Sequence, residues 1–204
     1  MKASLLFFQI FFVKKKAAFL CALILCFFFH GSGFAKDFSK KEKEFERGIL
    51  DLSKRKKDEL KTIDLKGEWS FYWNKFLDPK SVLSGAIPKE DGFLKVPSSW
   101  KKSEFGNELM GPKGFGSYLL RVKGVPQKMA LYFYPGRVKQ TSKVFLIQGG
   151  RADVIFEAGK PGSQVNKELP QLLSTKKQKV VLEKGDFTLL IHASNFGYRD
   201  GGVA

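Results

Sequence analysis

The sequence contains very little cysteine. Its two cysteines, Cys21 and Cys26, both lie in the apolar run Ala17–Phe29, and residues 36–204 contain none. A disulfide framework is therefore excluded for the main part of the chain, although export would permit one. The stability of this part must come from burial of apolar side chains, and about 150 residues are enough to build such a core.

Histidine is equally scarce, since the chain has only two. Beyond residue 35 only His192 is left, within an apolar stretch, and we predict a partly buried strand histidine there. Zinc or iron sites require more of these side chains than this. A histidine-activated nucleophile needs a histidine beside it, and the one candidate, His192, lies mid-strand among apolar residues. Glu168, Asp186 and Asp200 lie in predicted loops and leave calcium as the one open metal alternative. We predict no catalytic residue, no metal and no cofactor, and hence a protein that is not an enzyme.

A long hydrophobic run is also missing, because no stretch of about 20 apolar residues follows Lys36. The shorter run Ala17–Phe29 follows Lys14–Lys16 and precedes Gly33-Phe-Ala35. This order is typical of a signal peptide cleaved after Ala35, with an uncleaved membrane anchor as the alternative. We therefore predict that residues 1–35 direct export, to the periplasm or the outer face of the cytoplasmic membrane.

Acidic residues are outnumbered by basic ones, 20 against 36, which gives a net charge of +16 at pH 7. Four of the lysines lie in the first 35 residues, so the rest of the chain stays strongly basic. A basic surface suits nucleic acid when its cations form one stripe with exposed aromatic residues. Here the lysines are scattered, and we predict no nucleic-acid partner.

From Gly48 onward the sequence consists of short β-like runs separated by Gly, Pro, Asn and Lys. The charged residues 36–47 are a predicted spacer, and residues 48–204 are a predicted β-sandwich. The predicted strands are Ile49–Leu52, Thr62–Leu65, Glu68–Trp73, Phe93–Val96, Ser117–Val122, Met129–Tyr134, Lys143–Gln148, Asp153–Glu157, Lys179–Leu182 and Phe187–Ala193. Many short strands and almost no helix are typical of an all-β jelly roll.

Local patterns refine this prediction. Trp69, Phe71 and Trp73 fall on one face of their strand, as an antiparallel sheet packed against a second sheet requires. Asp78-Pro79 has the residue types of an N-cap followed by the first helical position, which predicts a short helix. Residues 148–150, Gln-Gly-Gly, supply the positive-φ positions of a tight hairpin turn.

Aromatic residues and glycines recur in four stretches, which we term the relay. They are Leu65–Trp73, Val96–Trp100, Gly114–Val122 and Ala193–Gly202. Core packing is favoured for Trp69 and Trp73. Trp100 follows a Pro-Ser-Ser loop, and two positions stay open for it. Its ring either packs in the core or lies at the rim, where it would stack on a sugar.

Two arginines in the relay also have two interpretations. Arg121 or Arg199 would bind a ligand carboxylate or phosphate with both guanidinium nitrogens. Alternatively, each forms a structural salt bridge, for example with Glu68 or Asp200.

The order of these motifs resembles one known family. The motifs are Leu65-Lys-Gly-Glu-Trp-Ser-Phe-Tyr-Trp73 with Leu77-Asp-Pro79, Val96-Pro-x-x-Trp100, Gly114-Phe-Gly-Ser-Tyr118-x-x-Arg121-Val and Ser194-Asn-Phe196-x-x-Arg199-x-Gly-Gly202. Over about residues 48–202 the chain resembles the extracytoplasmic sensor domain of bacterial seven-transmembrane receptors with diverse intracellular signalling modules.

This resemblance implies a galactose-binding-like jelly roll that senses a small molecule or carbohydrate without catalysis. The implied partners are that ligand, the membrane, and the cytoplasmic cyclase, kinase or phosphatase module of the receptor. The ligand-binding candidates in its motifs are Trp100, Tyr118, Arg121, Asn195 and Arg199. A weaker likeness to the sugar-binding jelly roll of family 2 glycoside hydrolases makes a carbohydrate-binding accessory domain the alternative.

The same resemblance implies one more strand and then membrane helices after Ala204. On that basis we expect residues 48–204 to lack the last strand of the sandwich and to keep an open sheet edge.

Overall fold

The computed structural model describes residues 9–12, 44–101, 103–105, 108–135, 141–170, 178–183 and 185–203. Within them the chain forms strands, one short α-helix, α1 (Pro79–Ser84), and short 3-10 turns at Lys57–Lys61 and Val165–Lys167. The strands are β1 (Gln9–Phe12), β2 (Phe45–Glu46), β3 (Ile49–Asp51), β4 (Thr62–Asp64), β5 (Gly67–Trp73), β6 (Gly92–Val96), β7 (Glu104–Phe105), β8 (Glu108–Leu109), β9 (Gly114–Lys123), β10 (Met129–Tyr134), β11 (Thr141–Gln148), β12 (Arg151–Ala158), β13 (Gln178–Leu182) and β14 (Phe187–Asn195).

The larger sheet runs in the order β12-β11-β14-β9 and then divides. On the far side of β9, β5 pairs antiparallel with residues 116–119 and β3 pairs parallel with residues 121–123. β6 extends the sheet beyond β5, and β2 extends it beyond β3. The β3–β9 pair is the single parallel pairing among the described strands.

The smaller sheet has the order β13-β10-β1-β4, and its inner face packs against the larger sheet. Leu131 and Phe133 of β10 share one buried cluster with Leu146 of β11 and Leu189 of β14. The prediction of an all-β, sandwich-like fold is therefore confirmed, whereas the jelly-roll topology stays a prediction.

The alternation predicted in β5 is present. Trp69 and Phe71 are fully buried in the main core between the sheets, and Trp73 packs against it from a partly exposed position. Tyr72 faces the other way and joins a second apolar cluster on the outer face of the larger sheet, with Leu119 and Leu190. Both faces of this sheet are therefore covered where the second cluster lies.

Residues 74–91 cover that outer face and contain α1. The helix begins as predicted, since the Asp78 carboxylate accepts a hydrogen bond from Lys80 N, and it ends at Gly85 in the left-handed conformation. The hairpin turn predicted between β11 and β12 is also present, with φ angles of 56° at Gly149 and 78° at Gly150.

Four strands lie outside the predicted set. β2 falls within the predicted spacer, where Phe45 packs against the core, and β7 with β8 forms a small separate hairpin. β1 falls within the predicted leader; the rest of that leader, residues 1–8 and 13–35, lies outside the described residues. Among the residues that are described, no helix has the length and apolar character needed to span a membrane.

Candidate functional site

The relay assembles into one aromatic cluster at one end of the sandwich. The Trp100 ring is fully buried and meets the Trp73 ring edge-on, with ring centroids 5.2 Å apart. Phe71 lies between Trp100, at 6.4 Å, and Tyr118, at 4.7 Å. Such tilted and edge-on arrangements are the favoured geometries for aromatic pairs. Of the two positions left open for Trp100, the structure selects the core.

The carbonyl oxygen of Pro112 joins separate parts of the relay. It accepts a hydrogen bond from Trp100 Nε1 at 3.1 Å and another from Asn195 Nδ2 at 2.8 Å. Pro112 itself directly precedes the relay stretch that begins at Gly114. Three stretches that are distant in sequence therefore converge on one partly buried acceptor.

The last described residues close the cluster by pairing with the chain around Trp100. Ser98 N donates to Val203 O at 2.9 Å, and Trp100 N donates to Gly201 O at 3.0 Å. Glycine is required at residue 201, because a Cβ atom there would overlap the Trp100 ring and the Pro112 carbonyl oxygen.

Tyr118 is part of this scaffold. Its ring is buried, its hydroxyl oxygen accepts a hydrogen bond from Val203 N at 3.4 Å, and burial raises the pKa of the phenol. The phenol is therefore neutral at any physiological pH. Of the five ligand-binding candidates, Trp100, Tyr118 and Asn195 are thus brought together, all in buried positions with internal hydrogen bonds.

Asn195 fixes the start of an exposed loop, residues 196–200, which we term the terminal loop. Its carboxamide donates to Tyr198 O and accepts from Tyr198 N, both at 3.0 Å. Tyr198 keeps 46% of its surface exposed, and Arg199 is exposed beside it. Asp200 pairs with Lys101 across 3.5 Å. A rigid scaffold that displays an exposed aromatic ring and a guanidinium is a common arrangement for a binding loop.

A buried carboxylate anchors the same loop from the other side. Glu168 accepts hydrogen bonds from Thr141 Oγ1 at 2.7 Å, Ser194 Oγ at 2.8 Å and Phe196 N at 3.0 Å. Ser194 Oγ also accepts from Gly162 N at 3.1 Å. A buried carboxylate is stable only when its oxygens are saturated in this way. Glu168 therefore ties the end of β14 and the first residue of the terminal loop to β11.

Arg121 does not join this site. It lies on the opposite face of β9 from Tyr118, and its register partner in β14 is Thr188, seven residues before Asn195. At roughly 3.3 Å per residue the two positions are about 23 Å apart along the strand. Neither of the salt bridges considered for the arginines, Arg121–Glu68 and Arg199–Asp200, is among the ion pairs of the described residues.

The loop carboxylates named as calcium candidates are separated. Glu168 is bound by hydroxyls and a backbone amide, and Asp186 accepts a hydrogen bond from Gly124 N at 2.8 Å. Within the described ranges no three His, Cys, Asp or Glu side chains are grouped as a metal site would require.

A small cavity lies between the two sheets. Its volume is about 10 Å³, which is room for about one water molecule, and its walls are entirely apolar. This cavity lies between β10 and β13 on one side and β11 and β14 on the other. A small-molecule ligand does not fit there, so the exposed terminal loop is the better candidate for a binding site.

His192 occupies the outer face of the larger sheet, as the predicted partly buried strand histidine. Its ring stacks on Phe76 at 4.8 Å and meets Phe145 edge-on at 5.0 Å. Its Nε2 atom donates to Leu77 O at 2.9 Å, which fastens residues 74–91 to β14. Burial lowers the pKa of His192 to about 4; the Leu77 hydrogen bond opposes that shift, and the charge of Lys143 adds to it.

This pKa predicts a loss of stability in mild acid. The unfolded histidine takes up its proton near pH 6.5, whereas the folded one stays neutral until about pH 4. The stabilisation is therefore complete above about pH 6.5 and is lost as the pH falls to 4. From pH 7 to pH 4 we expect the wild type to lose up to about 3 kcal/mol more unfolding free energy than His192→Gln, which still donates to Leu77 O. Urea titrations of both proteins at both pH values measure the difference. Equal losses of unfolding free energy in the wild type and in His192→Gln would contradict the lowered pKa of His192.

Sequence reasoning missed two parts of the site, Tyr198 and the Pro112 carbonyl, and it named Glu168 only as a calcium candidate. Tyr198 had a readable signal, because it is one of two aromatic residues between Asn195 and Gly201. Searches with this sequence match no protein-family model and no curated protein.

Proposed function

We propose that residues 48–203 are the ligand-sensing β-sandwich of a bacterial membrane signalling receptor, placed outside the cytoplasmic membrane. The observation that carries the proposal is the Pro112 carbonyl, on which Trp100 and Asn195 converge. The motifs that carry the family resemblance are far apart in sequence, yet they meet in one structural unit. This convergence supports a resemblance that extends over the whole domain, rather than a resemblance limited to short, unrelated motifs.

The terminal loop is the proposed ligand contact. Tyr198 offers an exposed ring for the apolar face of a sugar or another flat group, and Arg199 offers a guanidinium for a carboxylate or phosphate. Asn195 and Glu168 hold the backbone of the loop in place before a ligand arrives. A pre-ordered loop loses less conformational entropy on binding, which favours affinity.

A ligand screen on the full chain tests the proposal. The panel contains neutral hexoses, hexuronic acids and small mono- and dicarboxylates. At about 100 times its dissociation constant, a true ligand stabilises the folded state by about 2.7 kcal/mol, which raises Tm by roughly 5–10 °C for a domain of this size. We expect an acidic sugar or carboxylate to give such a rise because of Arg199, and a panel without any rise would contradict the proposal.

The alternative, a carbohydrate-binding accessory domain, is supported by the exposed ring of Tyr198 alone. Neutral oligosaccharides added to the panel separate the two, since under this alternative they would bind and acidic monosaccharides would not.

A further inference from the structure

β1 lies inside the smaller sheet, between two strands that are distant in sequence. It runs antiparallel to both β10 and β4, so that Ile10 is in register with Phe133 on one side and with Ile63 on the other. All four residues of β1 pair with β10, and three of them also pair with β4. Without β1 the smaller sheet would be divided into β13-β10 and a separate β4.

The two strands beside β1 form a groove one strand wide. Neighbouring strands lie about 4.8 Å apart, so β4 and β10 are separated by about 10 Å with β1 between them. Both walls present backbone donors and acceptors to the strand in the groove. Ile63, Leu131 and Phe133, which flank it in register, are fully buried. The groove therefore selects an extended segment with apolar residues at alternate positions.

No short turn fixes the register of β1. Its partners Asp64 and Tyr134 are far from Gln9 in sequence, so neither pairing is a hairpin whose loop sets the alignment. The alignment must come from the groove walls themselves. A groove that positions its strand in this way does not require the strand to be part of the same chain.

We propose that the space between β4 and β10 is a strand-acceptor site, which binds an extended segment of a partner protein by β-augmentation. In this structure Gln9–Phe12 occupies the site. The sequence predicts that residues 1–35 are removed or held in the membrane, and in either state β1 is withdrawn and both walls are left unpaired. The partner segment then runs antiparallel to β4 and β10 and restores the sheet. This inference does not depend on the proposed ligand.

Peptide binding to the full chain tests the site. Ile10→Pro removes a backbone donor from β1 and should empty the groove, whereas Ile10→Val should keep β1 in place. The probe is a fluorescent peptide of residues 5–13 with added terminal lysines for solubility, and the control peptide carries the same Ile10→Pro change. We expect the Ile10→Pro protein to bind the probe at least about tenfold more tightly than the wild type or Ile10→Val does. The same protein should bind the control peptide at least about tenfold more weakly than it binds the probe. Equal binding by all three proteins, no binding, or equal binding of both peptides would overturn the proposal.

Two further readouts keep the test decisive. If Ile10→Pro does not fold alone, refolding it with the probe should restore the native fluorescence spectrum, while the control peptide should not; failure of the probe overturns the proposal. The native mass of the wild type tests whether two copies exchange β1. We expect a monomer at all concentrations, whereas a dimer that Ile10→Pro abolishes would show exchange of β1 between two copies and overturn the partner assignment.

Discussion

Trp100→Ala is expected to lower the free energy of unfolding by about 3–5 kcal/mol, the range for truncating a fully buried large aromatic side chain. The ring packs against Trp73 and Phe71, and its Nε1 atom is one of two donors to Pro112 O. It also lies under Gly201, so the paired backbone of residues 98–100 and 201–203 would loosen with it. For a domain of this size the loss corresponds to a fall in Tm of roughly 10 °C. Guanidinium titration measures it.

Trp100→Phe separates packing from hydrogen bonding in this result. Phenylalanine keeps an aromatic ring in the cluster and removes the donor to Pro112 O, so we expect a smaller loss of about 1–3 kcal/mol. A loss below about 1 kcal/mol for Trp100→Ala would mean that the ring is not part of the core. Trp100 would then return to the list of ligand-binding residues.

Glu168→Ala is expected to have the second-largest effect, a loss of about 3 kcal/mol. The carboxylate accepts hydrogen bonds from two buried hydroxyls and from Phe196 N, so truncation removes the acceptor that this amide has in the structure. A partly buried amide that loses its acceptor carries part of the cost of its desolvation. The amide of Phe196 should therefore exchange with solvent faster in the variant, a change that hydrogen exchange measures at that residue.

Two matched variants control for the loss of a carboxylate. Glu168→Gln keeps one carbonyl oxygen as an acceptor and should cost less than Glu168→Ala. Glu157→Ala removes a carboxylate that pairs with Lys143 at the surface, where 52% of its side chain is exposed, and should cost less than about 1 kcal/mol. Equal effects of Glu168→Ala and Glu157→Ala would contradict the role given to Glu168.

The strands and the buried face of β5 were predictable because their signal is local. A period of two residues in Trp69, Phe71 and Trp73, the cap at Asp78 and the paired glycines 149 and 150 all act within a few residues of chain. The strand ends were less predictable: β9 begins at Gly114 and β14 extends to Asn195, both beyond the predicted limits, because pairing between these two strands continues to their ends.

The site was less predictable because its contacts are long-range. The burial of Trp100 depends on residues 201–203, which pair with residues 98–100 from about 100 positions away. Glu168 was named only as a calcium candidate, and its anchoring role gave no signal because its partners are two hydroxyls and a backbone amide on β11, β14 and the terminal loop. Arg121 and Arg199 occur in similar motifs, and only the register of β9 with β14 separates them in space.

The central claim is that the buried aromatic residues of the relay are scaffold and that recognition belongs to its exposed terminal loop, residues 196–200. The most direct test is the ligand-induced rise in Tm of the full chain, measured with the best compound of the acidic sugar and carboxylate panel. Tyr198→Ala with Arg199→Ala removes two exposed side chains and should abolish the rise. Arg121→Ala should leave it unchanged, because this exposed arginine pairs with Thr188, about 23 Å from Asn195 along the strand. A rise that survives the double change, or that disappears with Arg121→Ala, would contradict the account.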